Sequence, residues 1–149
     1  MRVAEACTRD AVCIGAPDSV RSAAELMRKR HVGSLVVIGN SGDARCPLGI
    51  LTDRDIVLAV TAAGADPESL TVGDVMTRSP ATCANDDDLF DAIRKMRMHG
   101  VRRLPVIDAE GRLAGVISAD DIYGTLGAQL CELGLALTHG HVREREMRN

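Results

Sequence analysis

VRSAAELMRKRHVGSLVVI, Val20 to Ile38, returns later in the chain as LFDAIRKMRMHGVRRLPVI, Leu89 to Ile107. At an offset of 69, Ala23 falls on Ala92, Met27 on Met96, Val32 on Val101, Leu35 on Leu104 and Val37 on Val106. A self-similarity of this period is read before any local feature, because it sets the architecture. Further on, GILTDRDI (Gly49 to Ile56) matches GVISADDI (Gly115 to Ile122) at an offset of 66. The offset shrinks by three because the first copy has the longer turn, GNSGDARCPL against DAEGRLA.

Both copies give the same local reading. Val20, Ala23, Ala24 and Met27 recur at i, i+3, i+4 and i+7, and so do Leu89, Ala92, Ile93 and Met96. That spacing predicts an apolar stripe on one helix face. The runs SLVVI, LGILT, RLPVI and LAGVIS are continuous rather than alternating, which predicts strands covered on both faces. Gly, Asn and Asp between them predict hairpins. A second helix is expected near Asp53 and again near Ala119. Each unit therefore reads strand, helix, strand, strand, helix, an α+β pattern. A unit of about 60 residues is marginal alone, since it buries too small a fraction of its surface. Two of them are expected to pack through their sheets about a pseudo-two-fold axis, with clefts between the halves.

Each hairpin ends in Gly, two apolar residues, Ser or Thr, two further residues and Asp: Thr52 with Asp55, and Ser118 with Asp121. A hydroxyl followed three positions later by an acid, ahead of an apolar run, has the form of a capping box. The same geometry offers chemistry. A strand feeding a helix start presents free N–H groups and a positive dipole end, which suits phosphate. A carboxylate one turn on can accept from two ribose hydroxyls. Capping and ligand binding are compatible.

The duplicated unit, the two Gly-x-x-Ser/Thr-x-x-Asp copies and the VRRLPVID strand resemble a tandem pair of CBS domains, the family named after cystathionine beta-synthase. The resemblance covers about residues 5 to 130. It implies a regulatory module that is not an enzyme. It also implies an adenosine-containing ligand, an AMP, ADP or ATP type nucleotide, between the units. By matching position, Thr52 and Ser118 would contact phosphate, and Asp55 and Asp121 would hold ribose. Ala11 and Val12 in one unit, and Ala81 and Thr82 in the other, would line adenine. In nucleotide-binding relatives basic residues at the start of the middle strand reach phosphates, which points to Arg102 and Arg103. The first unit has Gly33 and Ser34 there, so the clefts are chemically unequal. Arg54 is a further phosphate candidate. Its counterpart is Asp120, which would repel an anion. Two alternatives stay open: a structural dimerisation module without ligand, and a pair that binds S-adenosylmethionine, NAD or a metal.

The resemblance divides the chain into a first repeat over 5–62, a linker over 63–75, a second repeat over 76–132 and a C-terminal helix or tail over 133–149. The expected assembly is a homodimer with helices of both units in its seam, passing its signal to a separate effector protein. In the last segment Leu126, Leu130, Leu133 and Leu137 recur at heptad-like spacing. Gly127, Gly134 and Gly140 weaken that helix, and VREREMRN is expected to be mobile.

Composition narrows the classes. The net charge is -3 and aromatics are 1% of residues, so neither a phosphate-backbone grip nor a base-stacking platform for nucleic acid is expected. No apolar run approaches the roughly 20 residues of a membrane span. The start, MRVAEACTRD, lacks a signal-like apolar run, and a cytoplasmic location is expected. The five cysteines, Cys7, Cys13, Cys46, Cys83 and Cys131, form no C-x-x-C pair and read as reduced thiols. Cys131 with His139 and His141 is a weak candidate for zinc. His31 and His99 are expected to end their helices at equivalent positions. Asp86, Asp87 and Asp88 suit a helix start better than a metal.

Overall fold

A computed structural model describes the backbone of residues 1–39 and 45–147 and the side chains of 1–39 and 45–139. The centre of the longer first-unit turn, 40–44, lies outside the described residues.

Both units build the expected hairpin and helices. In the first, β1 (Cys13–Gly15) pairs parallel with β2 (Ser34–Ile38), and β2 pairs antiparallel with β3 (Pro47–Thr52). Helix α2 (Val20–Arg30) crosses between β1 and β2. Helix α3 (Asp53–Ile56) continues as a π-helical stretch, Val57–Ala62. The second unit repeats this order with β5 (Cys83–Ala84), α5 (Leu89–His99), β6 (Arg103–Ile107), β7 (Leu113–Ser118) and α6 (Ala119–Met147). Both hairpins carry a register shift at the same place, between Val37 and Ile38 and between Val106 and Ile107. Leu35 to Val37 and Leu104 to Val106 are buried without interruption, as strands covered on both faces must be.

The helices bury the predicted stripe with one change. Val20, Ala23 and Met27 are buried, as are Leu89, Ala92 and Met96. Ala24, assigned to that face by its spacing, is exposed, and Leu26 instead packs against the core. Each start is capped. The Ser19 side chain accepts from the Ser22 N–H at 3.1 Å, and the Asp88 side chain from the Phe90 N–H at 2.9 Å. The ends correct the histidine expectation. His31 is itself the left-handed cap of α2, at φ 54°, and its counterpart is Gly100, at φ 63°. His99 is the last residue of α5, one position earlier.

The parallel pairing is shorter in the second unit for a covalent reason. In the first, the Val36 N–H donates to the Val12 carbonyl at 3.0 Å. The matching residue in β6 is Pro105, which has no N–H to give. So β5 keeps two residues where β1 has three.

Two further segments complete the units, and each does so in the other half. Helix α1 (Val3–Ala6) buries Val3 in the second unit's core, with Cys83, Leu89, Leu104 and Ile117. Helix α4 (Val72–Val75) buries Val72 in the first unit's core, with Ile14, Ala23 and Leu51. Residues 63–75 therefore both connect the units and close one of them. After α4, β4 (Thr77–Arg78) adds to the edge of β3, giving the sheet order β1-β2-β3-β4. After α1, Thr8 exchanges two hydrogen bonds of 2.9 Å with Val116 on β7. The bridges Arg2 to Asp88 and Ser19 to Thr71 are likewise related by the repeat. The two sheets meet across this exchange.

That exchange requires two glycines. A Cβ on Gly49 would lie 2.8 Å from the Thr77 carbonyl oxygen, and one on Gly115 would lie 2.6 Å from that of Thr8. These are the glycines that open the two repeated motifs.

Candidate functional site

Between the halves lies a cavity of about 260 Å³. Its floor comes from β2 of the first unit and the strand ends of the second. Its rim comes from the segment before β1 and from the start of α6.

The cap at the start of α6 is fully formed. The Ser118 N–H and hydroxyl both donate to Asp121 Oδ2, at 2.9 and 2.6 Å, and the Asp121 N–H donates to Ser118 Oγ at 3.1 Å. Thr52 and Asp55 repeat this closely, with distances of 2.8, 2.8 and 3.2 Å. A third copy, not singled out from the sequence, joins Thr71 and Asp74 at the start of α4, at 3.0, 2.7 and 3.2 Å. Its hydrogen bonds hold the Asp74 carboxyl below the usual carboxylate range. The motif is thus a capping box wherever it occurs, and its surroundings decide whether it does more.

Ser118 and Asp121 line the cavity together with Ala11, Val12 and Arg103. Cross-strand pairing sets Arg103 opposite Ser118, so the guanidinium starts from the strand position beside the cap. Arg102, expected beside it, lies outside the cavity and reaches Asp120 at 3.4 Å on the exposed face of the unit. The residue that would repel phosphate is engaged there by the neighbouring arginine. Thr52, Arg54, Asp55, Ala81 and Thr82 also lie outside this cavity. Arg54 is exposed on α3.

Sequence reasoning missed several residues that line the cavity. Ser34 is the counterpart of Arg103, and both line it. Ile50 and Val116 are another such pair. Thr8, Asp10 and His31 also face it. Asp10 is tied to Arg30 at 3.0 Å. The repeat register carried the signal for Ser34, since a residue opposite its own counterpart lies near the axis. No local motif marks Asp10 or Thr8. In one cavity the arrangement offers an apolar wall, a cation, a helix start and a carboxylate.

The remaining candidates have structural roles. Asp87 accepts from Lys95 Nζ at 2.6 Å and from the Ala84 N–H at 3.0 Å, while Asp88 caps α5. The Lys95 hydrogen bond lowers the Asp87 pKa, and the same bond raises that of Lys95. Burial raises the thiol pKa of Cys7 and Cys13, and that of Cys83 to about 11. Among the described residues no three His, Cys, Asp or Glu side chains come together as a metal site. Cys131 is exposed on α6, and the side chain of His141 lies outside the described residues. Among the described residues no helix is long and apolar enough to cross a membrane.

The CBS domain model matches the chain twice, over residues 3–62 and 72–127. The chain belongs to the CBS domain family. Its matches start at α1 and at α4, so each includes the segment that the repeat places in the other half. A Methanopyrus kandleri protein is 31% identical over 120 residues, 80% of this chain and 60% of that one, so the chain spans well under the full length of that relative. The crystal structure of Hypoxic Response Protein I with two coordinated zinc ions superimposes with a TM-score of 0.72 at 32% identity. It covers 83% of this chain and 97% of that one. A CBS domain protein from Pyrobaculum aerophilum, complexed with AMP, superimposes with a TM-score of 0.74 at 27% identity. It covers 81% of this chain and 89% of that one. The family and these neighbours mark the chain as a pair of CBS domains.

Proposed function

We propose that this CBS pair is a non-enzymatic sensor that binds an adenosine nucleotide of the AMP, ADP or ATP type between its repeats and signals to an effector protein. One observation carries the reading. The cavity joins an apolar wall at Ala11 and Val12 to a capped helix start at Ser118 and Asp121, with Arg103 facing both. Adenine packs against the wall. Ribose hydroxyls donate to the Asp121 carboxylate, whose Oδ2 holds the cap while Oδ1 is left for the ligand. Phosphate meets Arg103 and the positive end of α6. At about 260 Å³ the cavity lies just below the roughly 300–1,000 Å³ of small-molecule sites, so it has no room for a ligand larger than one nucleotide without opening further. The AMP bound by the Pyrobaculum relative supports this class of ligand.

Signalling follows from where the ligand sits. Its contacts come from both halves, so it favours whichever arrangement of the halves brings Arg103 and Asp121 against the Ala11 wall. The protein acts as a homodimer in the cytoplasm, and the changed surface is read by the effector.

The test is a thermal-shift and calorimetric panel of AMP, ADP, ATP, S-adenosylmethionine, NAD and zinc. A ligand that binds only the folded state raises the melting temperature in proportion to its occupancy. AMP should raise it, with saturable heat at one site per chain. Stabilisation by zinc alone would replace this reading with a metal-binding one. A flat response to the whole panel would leave a structural module.

A further inference from the structure

Helix α6 is 29 residues long, and only its first turns lie on the second unit. Ile122 is buried in the core and Leu126 packs against it. From residue 128 to residue 139 every side chain is exposed. The helix therefore leaves the body, yet it is not polar there. Tyr123, Leu130, Leu133 and Leu137 are 81%, 69%, 57% and 61% exposed.

With Leu126 these residues are spaced 3, 4, 3 and 4 apart, the a and d positions of a heptad. The flanking e and g positions are Gly127, Gln129, Gly134 and Ala136, all uncharged and mostly small. A helix axis can approach closely over such flanks. The stripe also does not end on the helix. Tyr123 and Leu126 belong to a groove of about 470 Å³ between α5 and α6, with Ile93, Met96, Val101 and Ile122 in its walls.

We infer that α6 packs antiparallel against α6 of a second copy, with the projecting half of each helix covering the groove of the other. This rests on the homodimer reading above and narrows its seam from helices of both units to those of the second. A 3.5-residue stripe fits a surface with the same stripe, and a second copy carries one by construction. Antiparallel packing sets Leu126 against the partner's Leu137 and Leu130 against the partner's Leu133. The exposed end of one stripe then meets the groove at the start of the other. A parallel pair would crowd both bodies at the Tyr123 end and leave both grooves open. From Tyr123 to Leu137 the seam is about 21 Å long and about 10 Å wide on each copy. With the grooves it covers on the order of 1,000 Å² in total, the threshold for a specific interface.

The experiment measures mass by light scattering for the full chain and for L130D/L133D. Both leucines lie outside the core, so the variant should keep its circular dichroism and its AMP response while its mass falls by half. A second arm uses oxidation in a Cys131→Ser background. L126C/L137C should form a covalent dimer, and L137C alone should not, because in the antiparallel register its two copies lie about 16 Å apart along the axis. A wild-type dimer that survives L130D/L133D overturns the seam and leaves the homodimer reading standing. A dimer cross-linked through L137C alone overturns the antiparallel register. A monomeric wild type overturns the homodimer reading and this inference together.

Discussion

Asp121 holds Ser118 through one carboxylate oxygen, accepting from both the serine hydroxyl and the serine N–H. Asp74 holds Thr71 in the same way, away from the cavity. The two aspartates therefore separate capping from binding. Asp74→Ala and Asp121→Ala should each lower the melting temperature, since each opens a capping box. Only Asp121→Ala should weaken AMP binding, by at least about tenfold. Hydrogen bonds to a charged acceptor are worth about 1.5–3 kcal/mol, and 1.4 kcal/mol is a factor of ten. Equal AMP affinity in the two variants, measured by calorimetry, would end the ribose assignment.

Arg103 and Arg102 are neighbours in sequence and face different surroundings. Arg103→Ala should weaken AMP by about tenfold or more and leave adenosine, which has no phosphate, nearly unchanged. Arg102→Ala removes an exposed pair with Asp120 and should change AMP affinity by less than about twofold. Titrations of both ligands against both variants decide it; a larger loss for Arg102→Ala would place the phosphate elsewhere.

Gly115→Ala puts a methyl group 2.6 Å from the Thr8 carbonyl oxygen, a backbone atom that cannot turn aside. Strands must shift, and the expected loss is about 1–3 kcal/mol in a urea melt. Gly124→Ala is the control, because nothing lies within 4 Å of its added Cβ. It should be neutral or slightly stabilising, since alanine favours the helix.

The Asp87–Lys95 pair gives an acid-sensitive contribution. The Asp87 pKa is lowered in the folded state, chiefly by the Lys95 hydrogen bond. Its contribution is therefore present above the unfolded value of about 3.9 and lost as pH falls through the folded value. Lys95→Met should narrow the stability difference between pH 6 and pH 3, by under about 1 kcal/mol because the pair is partly solvated. A variant with the wild-type acid profile would show that the pair contributes nothing.

Thiol reactivity should follow exposure. Cys131 is exposed, while Cys83 is buried with its pKa pushed up to about 11. The thiolate is the reactive form. At pH 8, Cys131 should react first with a disulfide reagent and Cys83 only on unfolding, as read by mass spectrometry of quenched digests. Early modification of Cys83 would contradict its burial.

The repeat made most of this fold legible. Helix faces, hairpins and caps depend on neighbours within about four residues, and the sequence states them twice. What stayed hidden depends on distant partners. Nothing near Val3 says that it completes a core built from Cys83 and Leu104, because any short apolar turn reads alike. The Ser118 and Thr52 motifs are also indistinguishable locally. Only the placement of Arg103 and the Ala11 segment sets them apart. The Arg102–Arg103 pair reads as one basic feature because sequence does not show that β6 begins at Arg103, which alone of the two is paired across the hairpin, opposite Ser118. The length of α6 was obscured by its glycines, whose cost of about 1 kcal/mol each is spread over a helix that runs on to Met147.

The placement of α1 has a consequence for how the protein is made. Val3 leaves the ribosome well before the rest of its pocket, which includes Leu104, about 100 residues later. At 5–20 residues per second, translation takes about 5 to 20 s to supply that pocket. The first half, by contrast, can close once α4 has emerged. During that interval the nascent chain carries a loose apolar segment beside a finished half, and folding of the second half ties that early segment to a much later one. A fusion joined close before α1 would therefore bear on the second half, while a pause in translation after α4 would leave the first half whole and α1 waiting.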